Sequence, residues 1–357
     1  MFHAASLSTP TPGWLTDPHA FAVNRVPSRS SHRTDAATQS LDGTWDIALT
    51  SRDRVSLLSP TDAFDQGEVH RLPVPSTLEA EGLWPPAYVN IQMPWDGHCD
   101  PQAPEVPRDC CVAIYRREFS LDTGLEETLS AEGSVRLRFE GFATALYVWI
   151  DGAFVGYCED GYTASEFDVT QALSGRHSGA QAHSIVVACY EHSSASWLEG
   201  QDSWRFHGLF RSVSLVALPA CHVENLEASA DYDRDARAGI LSVTVDCEGP
   251  LEGVILSAEL ADPDGALVWS HSDAASASSF AVREKLPGVS PWTAETPSLY
   301  TLRVTLTQAD GTAVESVSQR VGFRRFEIVD GVFTLNGARL VFRGVNRHEF
   351  SPCTGRT

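Results

Sequence analysis

The clearest pattern along the chain is an alternation of apolar and charged residues that is typical of a β-strand. Val135, Leu137 and Phe139 are apolar and the residues between them are charged, so one face is predicted to be buried. Further along, two apolar runs flank Asp151-Gly152, a dipeptide that favours a tight hairpin because both of its residues accept a positive φ. The pattern therefore predicts consecutive antiparallel strands.

Other strand-like runs, at His183–Tyr190 and Ser212–Leu218, occur with irregular loops and little helical periodicity, so the fold is predicted to be mainly β. Strands of this kind are typical of a jelly-roll β-sandwich, which we assign to residues 39–218. Residues 1–38 are rich in Pro, Ser, Thr and Arg and lack periodicity. They are predicted to form an extended arm or a mobile terminus.

A second β unit is predicted for residues 219–326, beginning near Pro219–Cys221. Its size and strand count fit an immunoglobulin-like β-sandwich, although Cys221 and Cys247 give no sign of a disulfide. Turns at Asp264-Gly265 and Asp310-Gly311 separate some strands. The predicted strands are Ile240–Asp246, Val254–Leu260, Ala266–Ser270, Ser279–Val282, Leu299–Leu306 and Ser316–Val321.

The last segment, residues 327–357, has a different pattern. Two tight turns, Asp330-Gly331 and Asn336-Gly337, precede a largely apolar run, Arg339–Gly344, which is predicted to be a strand. A (β/α)8 barrel needs about 250 residues, whereas only about thirty follow the second β unit. We interpret the segment as the first strand of a truncated TIM-barrel domain.

The charge of the chain limits its partners. Its 357 residues carry a formal net charge of −21, whereas nucleic acids and anionic membranes are bound by basic patches. The most apolar stretch, Phe142–Ile150, is far shorter than the roughly 20 residues that span a bilayer. We therefore expect no nucleic-acid and no membrane partner.

The eight cysteines show no Cys-x-x-Cys spacing, and Cys110 and Cys111 are adjacent. A chain of this length does not need disulfides for stability, and residues 1–14 lack the basic and apolar regions of a secretory signal. We expect reduced, mostly buried thiols in a cytoplasmic protein.

Three clusters carry candidate chemistry, and the first is the proline-bracketed loop 88–95. It presents Asn90, Gln92 and two aromatic side chains. Amides donate to and accept from sugar hydroxyls, but in a purely structural loop they would bind their own backbone.

The second cluster, residues 197–211, combines aromatics, carboxylates and arginines around a flexible Gly200. Aromatic faces with carboxylates suit sugar recognition, because a ring packs on the apolar face of the sugar while a carboxylate accepts from its hydroxyls. In the alternative interpretation, the aromatics are core anchors and Asp202 pairs with Arg205 or Arg211.

The third cluster is Arg343-Gly344-Val345-Asn346-Arg347-His348-Glu349, at the end of a predicted strand, where barrel enzymes carry their active-site residues. His348 would donate to a substrate oxygen and Glu349 would orient it, or both are ordinary loop residues. Zinc-binding, Gly-x-Ser-x-Gly, phosphate-loop and dinucleotide motifs are absent from the sequence.

With these clusters the sequence resembles the β-galactosidases of glycoside hydrolase family 2. The motifs occur in the family's order and at similar separations, and the resemblance extends from about Trp14 onward; Met93, where an aromatic residue is common, is a departure. The motifs are Leu41-Asp42-Gly43-Thr44-Trp45, residues 88–94, Ser165-Glu166-Phe167-Asp168, residues 201–211, Val321-Gly322-Phe323-Arg324 and residues 343–349.

The resemblance implies a role for three residues. Asn90 would bind galactose hydroxyls, Asp202 would bind the 6-hydroxyl region and form part of a sodium site, and His348 would contact the galactosyl unit. The Asp202-Ser203-Trp204-Arg205 sequence is similar to β-galactosidases rather than β-glucuronidases, which need basic groups for a carboxylate substrate.

The resemblance also implies what lies outside the chain. The substrate would be a β-galactoside such as lactose, hydrolysed with retention by two glutamates, both expected beyond Thr357 with the ligands of a magnesium ion. The full-length enzyme is expected to be a homo-oligomer.

Three hypotheses follow for the chain itself. It is the truncated N-terminal part of a β-galactosidase, one subunit of a split β-galactosidase, or a non-catalytic carbohydrate-binding module. A module would end in a self-contained domain, whereas an unpaired apolar strand at the end exposes a sheet edge.

Overall fold

A computed structural model describes residues 9–90, 94–95, 101–174, 182–275 and 279–357. Within them the protein is mainly β, as predicted. The longest helix has 8 residues, so no helix of the described chain reaches across a bilayer. The helices are two 3-10 segments, Pro12–Thr16 and Pro60–Asp62, and α1 (Ala63–Gln66), α2 (Thr123–Ser130), α3 (Thr170–Ser174) and α4 (Ser196–Glu199).

The strands of the described chain are numbered in chain order. They are β1 (Ala22–Val23), β2 (Arg33–Thr34), β3 (Thr38–Ser40), β4 (Gly43–Ser51), β5 (Val69–Val74), β6 (Ala87–Val89), β7 (Cys111–Phe119), β8 (Ser134–Phe139), β9 (Ala145–Ile150), β10 (Ala153–Cys158), β11 (Ser165–Asp168), β12 (His183–Tyr190), β13 (Ser203–Arg205), β14 (Val213–Leu218), β15 (His222–Asp233), β16 (Ala238–Glu248), β17 (Ile255–Ala261), β18 (Leu267–Ala274), β19 (Ser279–Pro287), β20 (Tyr300–Thr307), β21 (Ala313–Val321), β22 (Phe326–Val329), β23 (Val332–Leu335) and β24 (Ala338–Arg339).

The first sandwich packs a sheet of order β1-β10-β9-β12-β7-β4-β5 against one of order β11-β8-β14-β3. Its core contains the alternating residues Val135, Leu137 and Phe139, all fully buried. The hairpin between β9 and β10 turns at Asp151-Gly152, with φ of 50° and 80°. The predicted jelly-roll sandwich and its hairpin are confirmed.

The second sandwich packs a sheet of order β15-β16-β19 against one of order β18-β17-β20-β21-β2. The immunoglobulin-like architecture is confirmed. Its longest strand, β15, was not predicted, because polar residues such as Glu224, Asn225 and Glu227 interrupt its apolar pattern. Asn225 accepts a hydrogen bond from Ser30 of the N-terminal arm, and Glu224 accepts one from Arg136 of the first sandwich.

The final segment forms a small sheet of β22, β23 and β24. The strand predicted for Arg339–Gly344 is wrong beyond its first residue, since β24 ends at Arg339. A barrel strand needs backbone partners on both sides. Among residues 340–344, only Leu340 donates a backbone hydrogen bond to a strand, from its N–H to Phe333 O in β23. Val341 and Phe342 are consequently exposed.

The N-terminal arm connects the two sandwiches. Strand β1 pairs with β10 of the first sandwich, and β2 pairs with β21 of the second. The chain then returns to the first sandwich, where β3 pairs with β14. The described part of the arm is therefore extended and hydrogen-bonded over much of its length.

An interdomain ion network joins the arm and both sandwiches, and consists of Arg29, Arg136, Arg138, Glu166 and Glu224. Arg136 donates to both carboxylate oxygens of Glu224, at 3.0 and 2.8 Å, and lies 3.5 Å from Glu166. Arg29 and Arg138 bind Glu166 at 3.0 and 2.9 Å. Arg136 and Glu166 are each only 6% exposed, so these charges stabilise each other away from water.

Acid is expected to weaken this network. Burial raises the pKa of Glu224, but hydrogen bonds from His222 and Arg136 outweigh burial and lower it to about 2. Because this folded-state pKa lies below the ordinary 4.5, the stabilisation is complete above that pH and is lost as the pH falls towards 2. Denaturant unfolding of the wild type and Glu224→Gln from pH 7 to 3 should show a stability difference that shrinks with falling pH. A constant difference would contradict this assignment.

Candidate functional site

Loop 88–95 and cluster 197–211 meet in a two-stranded ribbon formed by β6 and β13. Its register pairs Tyr88 with Trp204 and Val89 with Ser203. Asn90 directly follows β6 and Asp202 directly precedes β13, so both lie at the same end of the ribbon. The ribbon thus brings together two of the three predicted sugar-binding residues, while Gln92 and Met93 lie outside the described residues.

Asp202 is bound by a tyrosine rather than by an arginine. The Tyr88 hydroxyl donates to Asp202 Oδ1, whereas Arg205 donates to Pro94 O at 3.3 Å. Arg211 donates to two backbone carbonyls, at 3.4 and 3.2 Å. The pairing of Asp202 with Arg205 or Arg211 is therefore not found, and the Asp202 carboxylate stays exposed.

His348 is exposed and lines a cleft of about 540 Å³ beside the ribbon. Phe350 packs near Trp204 and Phe206, with ring centroids 6.4 and 5.9 Å apart. Arg347 pairs with Glu349 at 3.6 Å. The cleft combines aromatic rings with hydrogen-bonding groups, as a sugar site requires. Its lining residues are Tyr162, Ser203, Trp204, Phe206, Phe210, Arg211, Arg347, His348, Glu349, Phe350, Ser351, Gly355, Arg356 and Thr357.

Gly200 brings the two loops into close contact. A Cβ at this position would lie 2.5 Å from both Pro94 Cβ and Ser196 O. Nearby, the rings of Trp95 and Trp197 meet edge to face at 4.9 Å. Packing space therefore explains this glycine, rather than the flexibility that the sequence suggested.

A buried carboxylate, Glu159, anchors the segment that leads into α4 and then Asp202. It is 2% exposed and accepts hydrogen bonds from Tyr157 Oη at 2.5 Å, Ser194 Oγ at 3.1 Å and Ala195 N at 2.9 Å. Burial raises its pKa, and these hydrogen bonds offset part of that effect. Glu159 was not predicted from the sequence. The only pattern that could have indicated it is an acidic residue directly after a buried strand.

A second carboxylate, Glu199 at the end of α4, borders a small cavity with Arg205 and His207. Burial and the negative charges of Asp160 and Glu159 raise the pKa of Glu199 to about 7, although Arg356 opposes them. This carboxyl group can therefore exchange a proton near neutral pH. No sequence pattern indicates this shift, because the acidic neighbours Glu159 and Asp160 come from a different part of the chain.

A buried dyad of Glu79 and His207 fixes the end of the second cluster. Glu79 accepts from His207 N at 2.9 Å and is 2.6 Å from His207 Nδ1. Burial lowers the pKa of His207, but the hydrogen bond and negative charge of Glu79 outweigh burial and raise it. The imidazolium form is thus favoured in the folded protein.

This dyad predicts a loss of stability at alkaline pH. Because the folded-state pKa of His207 exceeds its ordinary 6.5, the stabilisation is complete below that pH and is lost as the pH rises through the raised pKa. The stability advantage of the wild type over Glu79→Gln should therefore shrink between pH 6 and 9 in denaturant titrations. His19→Gln, at an exposed position, should show no such trend, and an unchanging advantage would argue against the charged dyad.

Among the described residues, one exposed carboxylate and one three-residue group could contribute ligands to a metal ion. Asp202 fits a hard cation such as sodium as one oxygen ligand among several, because its carboxylate is exposed and accepts one described hydrogen bond. The described residues close enough to share an ion are His222, Glu224 and Glu248. Arg136 already binds both oxygens of Glu224, so the Glu224 carboxylate is already engaged in the ion network.

Three family models match consecutive parts of the chain. The sugar binding domain of glycosyl hydrolases family 2 matches residues 38–219, a second model described as glycosyl hydrolases family 2 matches residues 221–324, and the TIM barrel domain matches residues 326–357. The chain therefore belongs to glycosyl hydrolase family 2.

Curated relatives of the chain include several β-galactosidases. Beta-galactosidase BgaC of Bifidobacterium adolescentis is 46% identical, over 98% of this chain and 35% of its own length. The beta-galactosidase of Lactobacillus delbrueckii subsp. bulgaricus is 39% identical, over 96% and 34%. The beta-galactosidase large subunit of Latilactobacillus sakei is 33% identical, over 96% and 57%. The chain spans about a third of the length of the first two relatives.

Solved structures with the same fold include β-glucuronidases. Beta-glucuronidase 3 of Bacteroides uniformis superposes with a TM-score of 0.70 at 23% identity, over 90% of this chain and 39% of that chain. The Parabacteroides merdae enzyme gives 0.69 at 21% identity, over 90% and 39%. This likeness establishes the fold.

Proposed function

We propose that the chain is the N-terminal sugar-binding and immunoglobulin-like part of a retaining β-galactosidase that hydrolyses terminal β-D-galactose residues. The observation that carries this proposal is the 46% identity to a β-galactosidase over 98% of the chain. The juxtaposition of Asn90 and Asp202 on one ribbon, beside a cleft that contains His348, supports it.

In this proposal the described residues bind and orient the sugar. Asn90 exchanges hydrogen bonds with galactose hydroxyls, Asp202 accepts from the 6-hydroxyl region, and His348 contacts the galactosyl unit from the cleft. Asp202 also contributes one ligand to a sodium ion.

The bond-breaking groups are two glutamates outside this chain, one as nucleophile and one as acid and base, about 5–5.5 Å apart. A magnesium ion would act near the acid/base, again with ligands outside this chain. No carboxylate of residues 1–357 is assigned either catalytic role.

The substrates are β-galactosides such as lactose, and the complete enzyme is a homo-oligomer. The described cysteines support a cytoplasmic location, where thiols stay reduced. They form no disulfide, and six of them are buried.

A second candidate is a subunit of a two-chain β-galactosidase. The observation that favours it is the similarity to the β-galactosidase large subunits of Latilactobacillus sakei and Leuconostoc lactis, at 33% and 32% identity. In that case a separate polypeptide would supply the rest of the active site.

The test is a complementation assay. The purified chain is mixed with a separately expressed fragment of the Bifidobacterium adolescentis relative. This fragment begins after the part of the relative that matches the chain. Hydrolysis of a chromogenic β-galactoside is then measured. We expect no activity from either part alone and activity on mixing.

Two outcomes would contradict the proposal. Robust activity of the chain alone would mean that catalytic carboxylates lie within residues 1–357. Galactoside binding without any complementation would favour a non-catalytic carbohydrate-binding module.

A further inference from the structure

One face of the β6–β13 ribbon carries the groups that matter for a ligand. Side chains alternate between the two faces of a strand, and directly paired residues share a face. Tyr88 pairs with Trp204, so their side chains lie on the same face, where the rings are 5.5 Å apart. Asn90 follows Tyr88 and Asp202 precedes Trp204 by two positions, at the end of the ribbon where β6 ends and β13 begins.

Tyr88 reaches diagonally across this face to Asp202. The two residues are 114 positions apart in sequence, yet the Tyr88 hydroxyl donates to Asp202 Oδ1. The Trp204 ring packs against the Tyr88 ring and restricts its position.

This contact changes what Asp202 offers to a ligand. An exposed aspartate would otherwise rotate among several orientations, and ordering it on binding costs affinity. A carboxylate has about four acceptor sites, so one bond from Tyr88 fixes the group and leaves acceptors for a hydroxyl or a cation. Tyr88 itself is 42% exposed and contributes little to the core.

We propose that Tyr88 is a positioning residue that orients the Asp202 carboxylate towards the sugar, an inference that rests on the proposed sugar-binding role of Asp202. It acts through Asp202, and its ring serves as the support that holds the hydroxyl in place. Tyr88→Phe separates these roles because it keeps the ring and removes the donor.

The experiment is a double-mutant cycle on the full chain with Tyr88→Phe, Asp202→Ala, which removes the acceptor of the Tyr88 hydroxyl, and the double variant. Binding of methyl β-D-galactoside is measured by ligand-observed NMR, and stability by thermal unfolding. Tyr88→Phe should weaken binding about three- to tenfold at unchanged Tm. Tyr88→Phe should have no further effect when Asp202→Ala is present.

The Tyr88–Asp202 contact gives a readout that needs no ligand. With tyrosine labelled at the ring carbon bearing the hydroxyl, the Tyr88 NMR signal should shift in Asp202→Ala, because the hydroxyl loses its acceptor. Phe206→Leu, on the cleft side of the ribbon, should leave it unchanged.

Each outcome decides one of the two proposals. If the wild type and Tyr88→Phe bind the galactoside equally well, the positioning role is overturned and the proposed function stands. The same holds if Tyr88→Phe weakens binding as much in the Asp202 variant as in the wild type. If neither the wild type nor its mixture with the complementing fragment binds the galactoside, the sugar-binding role of Asp202 fails. The carbon signal then decides the Tyr88 contact alone, and an Asp202→Ala variant with an unchanged Tyr88 signal overturns it.

Discussion

Replacing Arg136 by alanine should lower the free energy of unfolding by about 3–5 kcal/mol, because it leaves buried carboxylates without their partner. Arg136 is 6% exposed and binds Glu224 through two hydrogen bonds while facing Glu166. Glu166 keeps Arg29 and Arg138, but Glu224 loses its bidentate partner. The loss is measured by denaturant unfolding near pH 7.

Matched variants separate charge from packing. Arg136→Met keeps most of the aliphatic contact and should still lose most of the stability. The double variant Arg136→Met/Glu224→Met should recover part of it, since no uncompensated carboxylate remains. Arg71→Ala, whose side chain is 75% exposed in its pair with Asp46, should cost less than about 1 kcal/mol. A double variant as unstable as the sum of its single changes would argue against a charge effect.

Replacing Asp202 by asparagine should lower kcat/KM for a β-galactoside about 10- to 100-fold in the complemented enzyme. A hydrogen bond to a charged group is worth about 1.5–3 kcal/mol, and asparagine removes the charge while keeping the shape. The variant should fold normally, because Asp202 is exposed on the ribbon. Initial rates over a range of substrate concentrations, with thermal unfolding of the chain, test both statements.

Asp235→Asn is the control for this change, since Asp235 is exposed in the turn between β15 and β16. Its activity should equal that of the wild type. Exchanging sodium for potassium should lower wild-type activity and affect Asp202→Asn much less, because the proposed sodium ligand is already altered. Equal kcat/KM for Asp202→Asn and the wild type would remove Asp202 from the site.

The sequence predicted the residue types of the candidate site but not their arrangement. Asn90, Asp202 and His348 were singled out by local clusters of amides, carboxylates and aromatics. The structure places Asn90 and Asp202 at the same end of the β6–β13 ribbon and His348 in the adjoining cleft. Their substrate-binding roles are still a prediction.

The supporting residues could not be found in this way. Tyr88 contacts Asp202 across 114 positions, and Glu79 contacts His207 across 128. Each pair forms because loops from distant parts of the chain meet at one end of the first sandwich. A single sequence gives the residue types but not these partners.

The sequence by itself determined the β character of the chain, the Asp151-Gly152 hairpin and the family, because alternation, turn chemistry and spaced motifs are local features. Only the tertiary structure decided that Arg136 and Arg138 face an interdomain ion network instead of water. It also left residues 340–344 out of any strand. The physical reason is the same in both cases: charge and apolarity are properties of a residue, whereas burial and strand pairing depend on which other segments pack against it.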